Sequence, residues 1–502
     1  MLRRNLLRLP AFAALLGLAG PLRAAVSGLD DFHQALEKRR WLLAFRSVPE
    51  FAYEADARIR GRLPEGLRGS LFRNGPARYE IGDFRYQHWF DGDGMVQAFR
   101  FADGGIRHQA RIIETNKFRA EQQAGRALYA GFGTLPPDPR PVTSPDTTNT
   151  GNISMLAHGG SLYALWEAGS PWRIDPESLD TLGAHAFSPE TRGAPFSAHP
   201  RIEPDGTLWN FGYSSGAGML VLWHLDAAGR VRRTGLVPCT PMGMPHDFVV
   251  TERHLVLLIP PFHYEPDEAT RTFMQAHRWH PERPTRVLVV DKADFSQYQW
   301  LELPAQWVFH FGNGWEDGNG VIHFDGARNV DPLEMIEGFA RVMDGESYTG
   351  SPTRHHRYTL DTRAGTVREE PMFEADMESE FPVIDPRVSG RRNHRLVMLS
   401  RSAAEPHEHP MLDSVTVYDA DRDRATRFRY PAGVVPEEHL FVPAPGSAPE
   451  GNGWVVGTAL NYATERTELH VFDVEAVDAG PVASAELPYA LPLGLHGKYV
   501  AA

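Results

Sequence analysis

Three histidines occupy the same place in three separate segments of the chain. In HPRIEPDGTLWNFGY, His199 stands ahead of a turn at 204–206, and an apolar run follows. In HDFVVTERHLVLLIPP, His246 precedes a polar break at 251–253, and in HFGNGWEDGNGVIHFD, His310 precedes a turn at 316–320. The interval is five or six residues each time, and the histidines are 47 and 64 residues apart. A neutral imidazole offers one nitrogen lone pair to a divalent transition metal. Repeats of about this length are single blades of a β-propeller, in which equivalent positions gather around one axis. A fourth histidine, His496, lies in LPYALPLGLHGKYVAA, an apolar, glycine-flanked tail. Termini are usually frayed and polar. An ordered apolar tail is expected where a last strand closes a ring, and His496 is then the natural fourth ligand.

The rest of the chain reads as the scaffold such a site needs. Its 502 residues are 42% hydrophobic, and 46 glycines and 40 prolines are spread along the whole length. Short apolar runs such as SLYALWEA, GMLVLWHL and HLVLLIPP alternate with turn signals such as DGDG at 91–94 and GNG at 451–453. That pattern predicts many buried strands. Two stretches have helical spacing: LDDFHQALEKRRWLLAF near the start, and DPLEMIEGFARVMDG at 331–345, expected as an insertion packed over one face. With no composition break to mark a linker, residues 28–502 are expected to form one domain.

Several functional classes are excluded. The net charge is −13 with no basic stripe, which does not suit a nucleic-acid binder. Cys239 is the single cysteine, so no internal disulfide or thiolate metal cluster can form. Residues 1–27 have a basic start, a short apolar run and small residues, which reads as a signal peptide. Arg3 and Arg4 ahead of Leu6 and Leu7 resemble a twin-arginine export signal, predicting a periplasmic protein.

Twenty-two histidines compete for the metal role, and most histidines in any protein are structural. His407 and His409, in EPHEHP, are expected on a solvated loop, and the adjacent His355 and His356 are expected to be exposed. His88, among aromatics in YQHWFDGDGM, is expected to be structural.

LRGSLFRNGPARYE, HWFDGDGMV, AHPRIEPDG, PHDFVVT, FHFGNGWE, ESEFPVIDPR, HLFVPAPG and LPLGLHG, in that order, resemble the carotenoid cleavage oxygenases across nearly the whole chain after residue 60. The resemblance implies an all-β, seven-bladed β-propeller with a helix and loop dome over one end. It implies one non-haem Fe(2+) per chain, on His199, His246, His310 and His496. It places outer carboxylates at Glu167, Glu380 and Glu438, with Glu378 and Glu437 as register rivals, to orient the rings and offset the charge. Imidazoles alone do not choose among Zn, Cu, Ni and Fe, so iron rests on the resemblance. Ile153 matches the position facing a further coordination site.

The family cleaves a carbon–carbon double bond with O2 to give two carbonyl products. The lignostilbene-cleaving branch places a lysine where this chain has Trp166, whose flat apolar face suits a polyene better than a phenolate. AEQQAGRALYAGFGT also resembles apocarotenoid-cleaving members, so a carotenoid or apocarotenoid is the expected substrate and a stilbene or phenylpropanoid alkene the alternative. A polyene would be taken from a membrane through the dome, where the 331–345 helix either meets lipid or packs inward. A reading of another class also stands: an exported, non-catalytic propeller scaffold braced by a structural metal.

Overall fold

A computed structural model of the chain describes residues 28–102, 104–346, 351–373, 377–402 and 405–502. The expected signal segment, 1–27, lies outside the described residues. Seven antiparallel sheets of four or five strands follow one another around a ring, the seven-bladed propeller that the sequence predicts. Blades 2 to 7 each begin with an edge strand: Ser154–His158, Arg201–Ile202, Val249–Val250, Trp307–Glu316, Met377–Val383 and Val434–Pro443. In blade 1 the corresponding edge is the last strand of the chain, His496–Ala501.

The ring closes twice. The tail strand pairs antiparallel with Gly69–Arg78, setting Asn74 opposite His496 and Gly69 opposite Ala501. At the far side of the last blade, Arg58–Gly61 from the N-terminal region pairs with Ala483–Glu486. The tail enters so close to blade 1 that a Cβ on Gly75 would lie 2.4 Å from Cα of Gly494. That approach explains the glycines in the tail motif. The apolar tail is therefore a structural strand.

Neighbouring blades pack through aliphatic faces. Val249, Val256, Leu258, Val287 and Val289 of blade 4 meet Val308, Phe311, Ile322 and Phe324 of blade 5, all buried. Each such side chain contributes about 1.5–3 kcal/mol when fully buried. Because both faces of a blade are covered, alternation along a strand does not expose every second residue. This corrects one expectation: His355 and His356, consecutive in Arg354–Asp361, are both buried, and His355 Nε2 lies 2.7 Å from Asp325 Oδ1. His409 is buried too, and His407 is held by Asp413 and the Ser402 carbonyl, while Pro406 and Glu408 are exposed, so EPHEHP is solvated only in part.

Helices and loops cover the site. Asn116–Ala124 starts at Thr115, whose side chain accepts from Phe118 N, and ends at Gly125 with φ of 64°. Pro332–Met343 begins with proline at its first position and buries Met335, Ile336, Val342 and Met343. Its apolar face packs inward. His88 anchors it, with Nε2 donating to the Ile336 carbonyl at 3.0 Å. The N-terminal amphipathic stretch forms a helix, Leu29–Lys38, followed by a 3₁₀ turn, Arg40–Phe45. Among the described residues, no helix is long and apolar enough to cross a membrane.

Candidate metal centre

The four histidines converge from four different blades. Their nearest ring nitrogens all lie within 4.8 Å of one another. His496 comes from the edge strand of blade 1, and His310 from that of blade 5; His199 and His246 stand just before the edge strands of blades 3 and 4. The remaining three blades supply carboxylates. Glu167 follows the second strand of blade 2, while Glu380 and Glu438 lie on the edge strands of blades 6 and 7.

Irregular backbone aims these side chains. The ladder slips between Val308 and Phe311, between Glu380 and Val383, and between Pro436 and His439. Each bulge falls at a functional position, and a bulge re-aims a side chain that a regular strand would point into the neighbouring blade. At the second bulge Phe381 adopts φ of 56°, which is uncommon for a bulky residue.

Three of the rings meet a carboxylate on their outer nitrogen. His310 Nδ1 is 2.6 Å from Glu380 Oε2, and His496 Nδ1 is 2.7 Å from Glu438 Oε1. His246 Nδ1 is 3.1 Å from Glu167 Oε2, out of alignment for a hydrogen bond. His199 has no carboxylate partner among the described residues. Of the register rivals, Glu378 bonds Arg401, and Glu437 bonds Arg73 and the Gly494 N–H. Neither carboxylate bonds any of the four converging histidines among the described residues.

Burial keeps the lone pairs of His199 and His310 available. Burial, and then the rings of His246, His496 and His310, hold His199 well below the ordinary histidine range. Burial, then His496 and His246, does the same to His310. For His246 burial also opposes protonation, but the Glu167 carboxylate outweighs it and the pKa rises. Burial likewise works against ionised Glu438, yet His496, Arg73 and the Gly497 N–H outweigh it and lower its pKa. Glu380 is pushed up to about 7 by burial, against the opposing Phe381 N–H bond.

This donor set fits a divalent transition metal. Nε2 of His310 is buried with no hydrogen-bond partner. Nε2 of His199 and Nε2 of His246 lie 2.9 Å apart. Two imidazoles on one ion at about 2.1 Å each and near a right angle are separated by about this much.

Two arginines tie the centre together, Arg73 buried and Arg201 partly buried, and nothing local in the sequence separates them from other arginines. Arg201 donates to the carbonyls of Phe248, Phe311 and Gly312 at 3.2, 2.8 and 3.1 Å and pairs with Asp247. Asp247 also accepts from the Phe311 N–H at 2.9 Å. The segments carrying His199, His246 and His310 are thus joined by one ion pair. On the opposite side Arg73 bridges Glu437 at 2.8 Å and Glu438 at 3.2 Å.

Beside the centre opens a cavity of about 840 Å³, within the range of small-molecule sites. His246, His310 and His496 face it, as do Ile153 and Trp166. Phe90, Phe309, Phe339 and Phe381 form aromatic walls, and Phe309 stacks on His246 with centroids 3.9 Å apart. The Ile153 carbonyl accepts from His496 N at 3.2 Å, fixing that residue beside the tail.

A propeller with histidines on its axis, outer carboxylates and an apolar cavity defines a metalloenzyme class, and the comparisons place the chain within it. The model of the retinal pigment epithelial membrane protein (RPE65) family matches residues 45–501. The chain belongs to this family, the carotenoid cleavage oxygenases, and is an oxygenase. It is 30% identical to the apocarotenoid-15,15′-oxygenase of Synechocystis over 91% of this chain and 96% of that one. It is 27% identical to isoeugenol monooxygenase of Pseudomonas putida, over 88% and 94% of the two chains. It is also 27% identical to lignostilbene-α,β-dioxygenase isozyme III of Sphingomonas paucimobilis, over 88% and 93%. A solved structure of cobalt-substituted Synechocystis apocarotenoid oxygenase superposes with a TM-score of 0.81 at 27% identity, covering 92% of this chain and 98% of that one.

Proposed function

We propose that this protein is a non-haem iron(II) dioxygenase that cleaves one C=C bond of an apocarotenoid or carotenoid with O2, giving two aldehydes. The observation that carries the reading is four imidazoles, three with outer carboxylates, opening on an apolar cavity. Ferrous iron held by His199, His246, His310 and His496 would supply reductive activation of O2, which zinc cannot. The chain's own residues do the rest. Glu380 and Glu438 keep Nδ1 of His310 and His496 protonated, so each ring presents Nε2 inward. Ile153 and the phenylalanine walls keep water from the reacting face and hold a flat polyene against it.

Trp166 favours the polyene over a phenolic alkene. It stands beside Glu167 and presents an uncharged aromatic wall where a phenolate would need a cation. Against the scaffold alternative weighs the all-imidazole donor set, because a bracing site is more simply built from carboxylates and carbonyls around calcium. Export through the twin-arginine route and uptake of substrate at a membrane surface belong to the same proposal, resting on residues 1–27 and on the apolar substrate.

The test is a product mass spectrum. The protein is loaded anaerobically with ferrous iron, then given ¹⁸O2 with an apocarotenal and a hydroxystilbene in one vessel. Labelled aldehyde from the polyene alone is expected. Stilbene products alone would overturn the substrate assignment, and iron bound without any cleavage would favour the bracing role. Cell fractionation of wild type against an R3K/R4K variant tests export, with periplasmic protein expected only from the former.

A further inference from the structure

We propose that His263, Glu265 and His280 form a second divalent transition-metal site, of the zinc or copper class, on a hairpin that walls the cavity. The strands Phe262–Tyr264 and His277–Trp279 pair antiparallel, with His263 opposite Arg278. The pairing extends at both ends: His280 N bonds the Pro261 carbonyl at 2.9 Å, and Glu265 N bonds the Ala276 carbonyl at 2.7 Å. Residues 261, 263 and 265 project from one face, and 280, set opposite 261, projects from that face too. Register alone therefore gathers two imidazoles and a carboxylate, and their donor atoms lie within 4.8 Å of one another. Two histidines and a glutamate are also a known zinc donor set.

The second observation is how His280 is held. Its Nε2 lies 3.0 Å from Glu265 Oε1, and its Nδ1 lies 3.2 Å from Glu282 Oε1. A metal-bound histidine is oriented in this way, with one nitrogen toward the ion beside a carboxylate ligand and the other donating to an outer carboxylate. His263 is buried, its ring centroid 5.2 Å from that of His280.

A cation already occupies this point. The Arg283 guanidinium donates to His263 Nδ1 at 3.3 Å, and it lies 4.0 Å from Glu265 and 3.6 Å from Glu282. The lone pair of Nδ1 therefore faces the place where the carboxylates converge. Arg283 is 47% exposed and free to swing outward when an ion with three direct bonds replaces it. Tyr264, Thr270, Arg271, Thr272 and Phe273 of the same hairpin line the cavity, so an ion here would pin one of its walls.

The test uses tag-free full-length chain, stripped with chelator and equilibrated with Zn2+, with bound metal counted by mass spectrometry and affinities measured by calorimetry. The H263A/H280A variant should bind one zinc fewer per chain than wild type. E265Q, which keeps the shape of the side chain and guards against misfolding of the double variant, should weaken that same equivalent at least tenfold. E282Q should weaken it by about 10–100-fold, as loss of an outer carboxylate does. R283Q should tighten it severalfold. Amide exchange across 265–276 should slow on zinc addition. Equal zinc counts in wild type and H263A/H280A, or unchanged affinity in E265Q, would overturn the site, whatever metal the axial histidines hold.

Discussion

The two sides of the axial centre are each held by an arginine, one buried and one partly exposed, and the arginines do different jobs. Arg201, in blade 3, pairs with one carboxylate and three backbone carbonyls, binding segments that lie near each other in sequence. Arg73, in blade 1, pairs with two carboxylates from blade 7, more than 360 residues away. One of these, Glu438, orients His496. The first arginine fixes backbone that three adjacent blades have already brought together. The second neutralises charge at the seam where the ends of the chain meet. The difference teaches that the fourth ligand depends on ring closure in a way that the other three do not.

The largest effect should separate the ligand from the strand that carries it. H496A removes one imidazole and leaves the pairing with Gly69–Arg78 in place. It should abolish iron retention, and with it activity, at nearly native stability. Deleting residues 496–502 removes the strand as well, exposing Leu71 and Phe99 of the core that Tyr499 packs against. That deletion should cost more than about 5 kcal/mol, most of the stability of an ordinary domain, read as a collapse of the thermal transition. If H496A is as unstable as the deletion, the tail acts through the histidine and not through closure.

Next in size are the arginines. Arg73 and its two carboxylates are almost completely buried, and removing one partner of such a cluster costs about 3–5 kcal/mol. R73M should therefore lower stability by that much and loosen iron at the same time. Arg201 is 22% exposed and spends most of its donors on carbonyls. R201M should cost about 1–3 kcal/mol, the range for leaving buried acceptors unpaired. Urea unfolding of both variants checks the order, and equal losses would break the comparison.

Much of this centre was legible in the sequence, and the limits were physical. His199, His246 and His310 are visible because each precedes a turn at the same interval, so a local pattern reports a ring-wide arrangement. His496 was visible because an apolar tail needs a reason. Glu167, Glu380 and Glu438 stood out only through the resemblance, since nothing local separates Glu380 from Glu378 or Glu438 from Glu437. The bulges that aim them depend on the partner strand. Arg73, Arg201 and Asp247 lie inside the quoted motifs, but nothing there marks them as partners, because an ion pair joins residues with no periodic relation. His355 and His356 were misjudged because polar composition suggested solvent, whereas blades cover both faces of a strand.

The smallest expected effect distinguishes the carboxylates themselves. E380Q and E438Q each replace a carboxyl group whose oxygen lies 2.6 or 2.7 Å from a ring nitrogen, and should weaken iron binding by about 10–100-fold. The two should differ in stability. Glu438 also bonds Arg73, so E438Q unbalances the seam, whereas among the described residues Glu380 otherwise accepts from the Phe381 N–H alone. Glu167 is 3.1 Å from His246 and out of line, so E167Q should weaken iron by less than tenfold. His246 is held in addition by the stacked Phe309 ring and by its neighbour Asp247, which pairs with Arg201. Iron titration of the three variants gives the order directly. An E167Q loss equal to that of E438Q would mean that the carboxylate, and not the arginine-braced backbone, is what positions His246.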